Sequence, residues 1–239
     1  VASDYENVFD AVYFEGEDVT EVLGITKWEA PEYAGTNQEA RGTFPSFLKK
    51  TDQERIQNLG KDLLAQQGNS FEVTIKLDGS SLTAYVYGED YGVCSRNVNL
   101  KDVEGNAFWD IVKKEDLHDK IRATGRNLAV QGELLAPNIQ NNYEKVNGPT
   151  FRCFSVWDID KQEYLLPKER RTLCTSVGIP HVPVFEENFV LMHSVNDLLD
   201  LAEGDGMNKG VKREGLVFKS NTSQFSFKVV SNSYLMKKG

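Results

Sequence analysis

Phe71, Val73 and Ile75 alternate with Glu72, Thr74 and Lys76, the period of a strand with one buried face, so the pattern predicts a strand that ends at Lys76. It breaks into Asp78-Gly79-Ser80-Ser81, which is turn chemistry, and resumes as the β-branched and aromatic run Leu82 to Tyr87. Gly88 to Gly92 joins that run to Val93-Cys-Ser-Arg96 as a hairpin. Further strands are predicted over 127–135, ended by Pro137, over 151–159, and over 214–219 and 224–230. Ile56, Leu59, Leu63 and Leu64 have helical spacing within 49–66, with Thr51-Asp52 as N-cap, Glu54 at capping-box distance and Gly68 as stop. Residues 107–125 read as two short helices, 167–177 as a helix with Pro at its start and Gly178 at its end, and 195–203 as another. The stretch 204–210 reads as a flexible loop, and the weakly periodic first fifty residues as short strands and loops. No internal repeat is present. Antiparallel hairpins interspersed with helices make an α+β domain.

Composition narrows the function classes. The 239 residues are 40% hydrophobic, enough for a sizeable core. No apolar run approaches membrane-spanning length, and no signal-like segment opens the chain, so no membrane partner is expected. The absence of an initiator Met suggests a fragment or a processed form. Three cysteines cannot all pair, and Cys94 and Cys153 lie in strand-like runs, so free buried thiols in a reducing, intracellular compartment, cytoplasm or nucleus, are expected. The three histidines lack metal-ligand spacing. A net charge of −9 argues against broad nucleic-acid binding but leaves room for a local basic groove.

Candidate chemistry centres on Lys76. A Lys-x-Asp-Gly string alone arises in roughly one chain of this length in twenty, and a hairpin turn accounts for it equally well. Four other strands, however, carry charge at an end or among apolar neighbours: Arg96, Glu133, the Glu214 and Lys219 pair, and Lys228. Each alone reads as a solvated edge charge; together with Lys76 and Asp78 they form a set that a sheet does not need for folding. A lysine nucleophile must be neutral, and at an unperturbed pKa near 10.4 only about one in a few thousand is so at pH 7. Asp78, Glu133 and Glu214 would hold it protonated unless a divalent metal offset their charge, favouring the free amine and neutralising a phosphate under attack. Lys219 and Lys228 then suit non-bridging phosphate oxygens. Attack by Lys76 on a nucleotide phosphorus fits this set.

Lys76-Leu-Asp78-Gly79, Ser95-Arg96, Gly132-Glu133, Phe154-Ser-Val-Trp-Asp158, Glu214-Gly-Leu-Val-Phe-Lys219 and Phe227-Lys228 resemble, in order and spacing, the collinear motifs of the covalent nucleotidyltransferases, the polynucleotide ligases and messenger RNA capping enzymes. DNA ligases and capping enzymes usually carry Arg where this chain has Ser81, and the serine pair resembles RNA ligases. Thr26-Lys-Trp-Glu29, Phe44-Pro-Ser-Phe47 and Thr51-Asp-Gln-Glu-Arg-Ile-Gln57 are similar to the nick-sealing RNA ligase clade known from Deinococcus and Naegleria.

The resemblance implies an ATP-grasp-like adenylation domain of antiparallel sheets flanked by helices, filling 1–239, with the clade's leading OB-like module expected to be missing from this chain. It implies an ATP-dependent RNA ligase: Lys76 takes AMP from ATP as a covalent lysyl-AMP, passes it to a 5′-phosphate, and a 3′-hydroxyl expels it, at nicks in RNA duplexes, with the enzyme a monomer. The implied catalytic set is Lys76, Asp78, Glu133, Glu214 and Lys228; Ile75, Lys76, Ser81, Arg96, Glu133, Phe154, Lys219 and Lys228 would bind the nucleotide. Arg96 would contact the ribose or the polynucleotide end, Glu133 the ribose or metal waters, and Phe154 would stack on adenine, although plain core packing explains an aromatic there too. Asp78, Glu133 and Glu214 would hold Mg2+ or Mn2+ through water, and Lys219 and Lys228 the α-phosphate. Where the family often has Lys-x-Lys, Lys228 is followed by Val229 and Val230, so a phosphate contact must come from elsewhere. A DNA ligase, a GTP-using capping enzyme and a non-catalytic nucleotide-binding or nucleic-acid-binding module are the alternatives.

Overall fold

A computed structural model describes residues 39–238; the expectations for residues 1–38, among them the Thr26-Lys-Trp-Glu29 pattern, lie outside the described residues. The strands are β1 (Ala40–Thr43), β2 (Glu54–Arg55), β3 (Ser70–Lys76), β4 (Ser80–Tyr87), β5 (Asp90–Cys94), β6 (Val98–Leu100), β7 (Leu128–Leu135), β8 (Thr150–Asp158), β9 (Glu163–Tyr164), β10 (Val184–Val190), β11 (Gly215–Ser220) and β12 (Ser226–Val230). The helices are α1 (Lys61–Ala65), α2 (Ala107–Lys114), α3 (Leu117–Arg122), α4 (Pro167–Val177), α5 (Val195–Leu201) and α6 (Asn232–Lys238). One sheet runs β1-β6-β5-β4-β7-β8-β9 and the other β10-β3-β11-β12-β2. All pairings are antiparallel except that of β2 with β12.

Strand register sorts the side chains into two kinds of face. In β3 and β11, Lys76 pairs with Gly215, Thr74 with Val217 and Glu72 with Lys219; β12 continues those rows with Val230, Lys228 and Ser226. Because side chains alternate across a strand, Phe71, Val73, Ile75, Leu216, Phe218, Phe227 and Val229 fall on the opposite face. There they bury themselves with Ile56, Leu59, Leu63 and Leu198, each fully buried side chain contributing about 1.5–3 kcal/mol. In the larger sheet, Leu82, Ala84, Val86, Leu128 and Val130 pack against Trp109, Ile111, Ile121 and Leu173. Its other face carries Ser81, Thr83, Gln131, Glu133 and Ser155. The two polar faces meet, since Lys219 donates to Ser155.

A helix over 49–66 does not form as the spacing suggested. Arg55 is taken by the parallel pairing with Lys228, Ile56–Asn58 is a single 3-10 turn, and Gly60, at φ +45°, interrupts the chain before α1. Ile56, Leu59 and Leu63 are buried all the same, because a strand-turn-helix segment can put them on one side, whereas Leu64 is exposed. The 204–210 loop is laced down: Arg213, itself buried, donates to the carbonyls of Ala202 at 3.0 Å and Leu201 at 2.6 Å, and Gly206 N–H reaches Val211 O at 2.7 Å. Cys94, Cys153 and Cys174 are free and buried, as expected.

The buried carboxylate of Glu72 is matched by Arg170, 1% exposed, and by Arg171 at 3.1 Å. Arg170 Nε donates to His181 Nε2 at 3.0 Å, so the His181 proton sits on Nδ1, 2.6 Å from Val182 O. Burial, and then the Arg170 charge, push the His181 pKa down to about 3. A pKa lowered on folding makes the neutral imidazole a source of stability above its unfolded pKa of about 6.5 that is lost as pH falls towards the folded value. Urea unfolding from pH 7 to pH 4 should therefore show a steeper loss of stability in the wild type than in His181→Asn; equal slopes would contradict this.

Candidate active site

Lys76 ends β3 on the polar face, and its Nζ lies 2.8 Å from both carboxylate oxygens of Glu214, the residue preceding β11. The side chains are 25% and 12% exposed, so the pair opens to the cleft without being solvated away. From Lys76 the chain turns through Leu77, Asp78 and Gly79 into the other sheet, and two carboxylates hold that turn by consecutive amides. Glu144 Oε1 accepts from Asp78 N–H at 3.1 Å, and Glu133 Oε1 from Gly79 N–H at 2.9 Å. Tyr234 of α6 shares a side-chain hydrogen bond with Asp78, and burial, first, with Glu214 and Asp78 raises its pKa.

The motif glycines are steric requirements. An added Cβ would stand 2.4 Å from Leu134 O at Gly79, 2.4 Å from Arg152 O at Gly132 and 2.0 Å from Val229 O at Gly215. Each glycine lets one strand approach another beside a charged residue of the site.

Carboxylates crowd the centre. Burial pushes Glu133 up to about 7, with Glu214 and Asp78 adding to the rise and Lys76 opposing it. Burial likewise brings Glu144 to about 7, with the Asp78 and Glu214 charges contributing. Lys228, one row from Lys76, is lowered by burial and then by the charges of Lys76 and Arg55.

Lys219 is not brought to the same place. It lies two rows, four residues or about 13 Å of strand, from the Lys76 row. It donates to Phe154 O and Ser155 Oγ, sits 5.7 Å from the Phe154 ring centroid, and is held well below the usual lysine range by burial and Arg170. Its row is next to that of Lys228 on the same face, and its ammonium is engaged here by Phe154 and Ser155. Phe154 itself is a bulge residue: Gln131 pairs with Ser155 but Gly132 with Cys153, leaving Phe154 extra and re-aimed. It packs against the core of the smaller sheet, so its side chain bridges the two layers. Beyond it lies a cavity of about 360 Å3 lined by Asp52, Ser155, Trp157, Tyr164 and Lys219. Arg96 is exposed and bonded at 2.7 Å to Asp52 of the cavity wall. Ser81 is paired with Glu133 across β4 and β7. Ile75 faces away from Lys76 into the core, because adjacent strand residues point oppositely; only its main chain could meet a nucleotide.

Sequence reasoning missed Glu144, Tyr234 and Arg55. Glu144 sits in the polar run Gln140-Asn-Asn-Tyr-Glu144-Lys145, which reads as solvated loop, and Tyr234 has no flanking motif. Arg55 could have been found as a second cation to stand in for the missing lysine after Lys228.

The donors suit a hard divalent ion. Asp78, Glu133, Glu144 and Glu214 are all oxygen donors, and Glu144 Oε2 is buried without a hydrogen-bond partner. Among the described residues no group of three or more His, Cys, Asp or Glu is spaced to hold a metal directly.

A family model described as RNA ligase matches residues 69–230. Among solved structures, a mutant of Naegleria gruberi RNA ligase with ATP and Mn is similar at 42% identity, covering 98% of this chain and 70% of that one, with a TM-score of 0.86. The N. gruberi enzyme with PPi gives the same values, and another mutant, with AMP and Mn, is 44% identical over 93% of this chain and 67% of that one, TM-score 0.85. A comparison with curated proteins gives no match.

Proposed function

Because this chain belongs to the RNA ligase family, we propose that Lys76 is the nucleophile of an ATP-dependent RNA ligase whose adenylation domain is formed by these residues. The observation that carries the reading is Lys76 Nζ, at a strand-to-turn junction on a polar inter-sheet face, 2.8 Å from the Glu214 carboxylate. The amine nitrogen attacks the α-phosphorus of ATP, a nitrogen–phosphorus bond forms and pyrophosphate leaves. An oxygen of a 5′-phosphate then displaces the lysine, and a 3′-hydroxyl attacks that 5′-phosphorus and expels AMP.

A bound Mg2+ or Mn2+ would offset the carboxylates and the phosphate charge, favouring the neutral amine. Glu214 and Asp78 would hold its waters, Glu133 would meet those waters or the ribose, and Lys228 the α-phosphate. Arg55, beside Lys228, supplies a second cation where the family's Lys-x-Lys is incomplete. Phe154, aimed by its bulge and tethered through Lys219, would stack on the base. Arg96, paired with Asp52 of the cavity wall, would receive the polynucleotide end. The substrate is an RNA with 3′-hydroxyl and 5′-phosphate ends at a duplex nick, the enzyme a monomer, and the compartment intracellular, which the three free buried thiols favour.

Incubation with α-labelled ATP and Mg2+ or Mn2+ tests this. One label per chain, on Lys76 and absent from Lys76→Met, is expected. Label from GTP instead would indicate a capping enzyme, and no label a binding module.

A further inference from the structure

Four of the six non-glycine residues with positive φ among the described residues, Gln140, Asn141, Asn142 and Lys145, lie in the loop between β7 and β8. Such backbone costs about 1–3 kcal/mol per residue and persists where surrounding contacts over-determine it. Here Asn142 clasps Val146, donating to its carbonyl at 3.0 Å and accepting from its N–H at 2.8 Å, and Asn208 Nδ2 donates to Glu144 O at 2.6 Å. The result is a carboxylate only 1% exposed, inserted beneath the Lys76-Leu77-Asp78 turn. One oxygen is accounted for by Asp78 N–H; the other is buried and has no hydrogen-bond partner. Leaving a buried carboxylate oxygen unmatched costs about 1–3 kcal/mol or more, and its charged neighbours are Asp78, Glu214 and Lys76.

We propose that Glu144 is a fourth carboxylate of the site, fixing the Asp78 turn through Oε1 and presenting Oε2 to the water shell of the bound divalent cation. This rests on the ligase reading above. Glu144 touches neither the lysine nor the nucleotide in this role; it positions Asp78 and adds one acceptor for a metal-bound water.

The test is Mn2+ affinity, read from the free-ion electron paramagnetic resonance signal with AMP present, in wild type and Glu144→Gln. Glutamine keeps an acceptor for Asp78 N–H and removes the charge. The Mn2+ Kd should rise at least tenfold, in the range of about 10–100-fold found for outer-shell partners, with the melting temperature in EDTA unchanged or higher. A Kd equal to that of wild type would overturn the assignment, including if the variant melted lower, because that is the mark of a structural role alone. If Glu144→Gln gave no cooperative melting, Asn208→Ala decides, since it releases the Glu144 carbonyl and leaves the carboxylate intact: weakened Mn2+ binding supports the assignment and wild-type binding overturns it. Wild-type protein that neither labels Lys76 nor binds Mn2+ would remove the ligase reading as well, whereas labelling with unchanged Mn2+ binding in Glu144→Gln removes only this inference.

Discussion

Glu214→Ala is expected to lower the rate of AMP transfer to Lys76 by at least a hundredfold, while the melting temperature shifts by only a few degrees. Two effects oppose each other. Removing the anion 2.8 Å from Lys76 Nζ releases the amine from its ion pair, which alone would favour attack. In the proposed role Glu214 would hold the water shell of the cation, so its removal would weaken stabilisation of the charge developing on the phosphate, and loss of a single such contact costs about 10²–10³ in rate. The second effect is the larger and sets the sign. The structural cost is small because Lys76 keeps a quarter of its side chain exposed and can rehydrate; about 1 kcal/mol for a partly exposed pair is roughly 2–4 °C in a chain of this size. Single-turnover labelling with ATP, alongside a melting curve, reads both numbers. Faster labelling in the variant would mean that Glu214 only restrains the lysine, and a fall of ten degrees or more would mean that lost activity reports lost fold.

What was legible in the sequence is whatever depends on alternation or on a turn. The β3 pattern, the turn at Asp78-Gly79, the β4–β5 hairpin and α4 with its Pro start and Gly178 stop all stand where periodicity and breakers put them. Lys76, Glu133 and Lys228 converge because each lies on the polar face of a strand whose other face is core, and Glu214 joins them from the residue just before β11 through its ion pair with Lys76. What escaped depends on partners distant in the chain. β10 is an edge strand of mixed apolar and acidic residues, visible only through its pairing with β3. The bulge that turns Phe154 between layers is a mismatch of two strands, absent from either alone. Motif order does not carry distance along a strand: four residues of β11 separate Lys219 from the Gly215 row, and one row separates it from Lys228. Glu144 gives no local signal because its burial follows from a loop held by Asn142 and Asn208.

Gly79→Ala and Gly215→Ala should both be severe, and in different ways. Gly215 sits in β11, flanked on both sides by β3 and β12, and the added methyl would stand 2.0 Å from Val229 O, a main-chain atom that no rotamer change can move. Relief requires β11 and β12 to part, so the cost should reach or exceed the upper end of the roughly 1–3 kcal/mol typical of overpacking, a fall in melting temperature of about 6–12 °C at roughly 2–4 °C per kcal/mol. At Gly79 the methyl would meet Leu134 O at 2.4 Å and also Leu135 Cδ2 and Glu133 Cγ at 2.7 and 2.9 Å. Those two side-chain atoms can yield, but the carbonyl cannot, so the turn is pushed off Glu133 and the 2.9 Å bond from Gly79 N–H to its carboxylate is lost. A displacement of about 1 Å at a reacting group can cost on the order of 10²-fold in rate, so Gly79→Ala should lose labelling of Lys76 out of proportion to its smaller fall in melting temperature. Gly42→Ala, where a Cβ meets nothing within 4 Å, is the control and should match wild type in both. If Gly215→Ala melted with the control, the close approach of β11 to β12 would not be the reason glycine follows Glu214, and if Gly79→Ala labelled at the wild-type rate, the Lys76 turn would not need Glu133 beneath it.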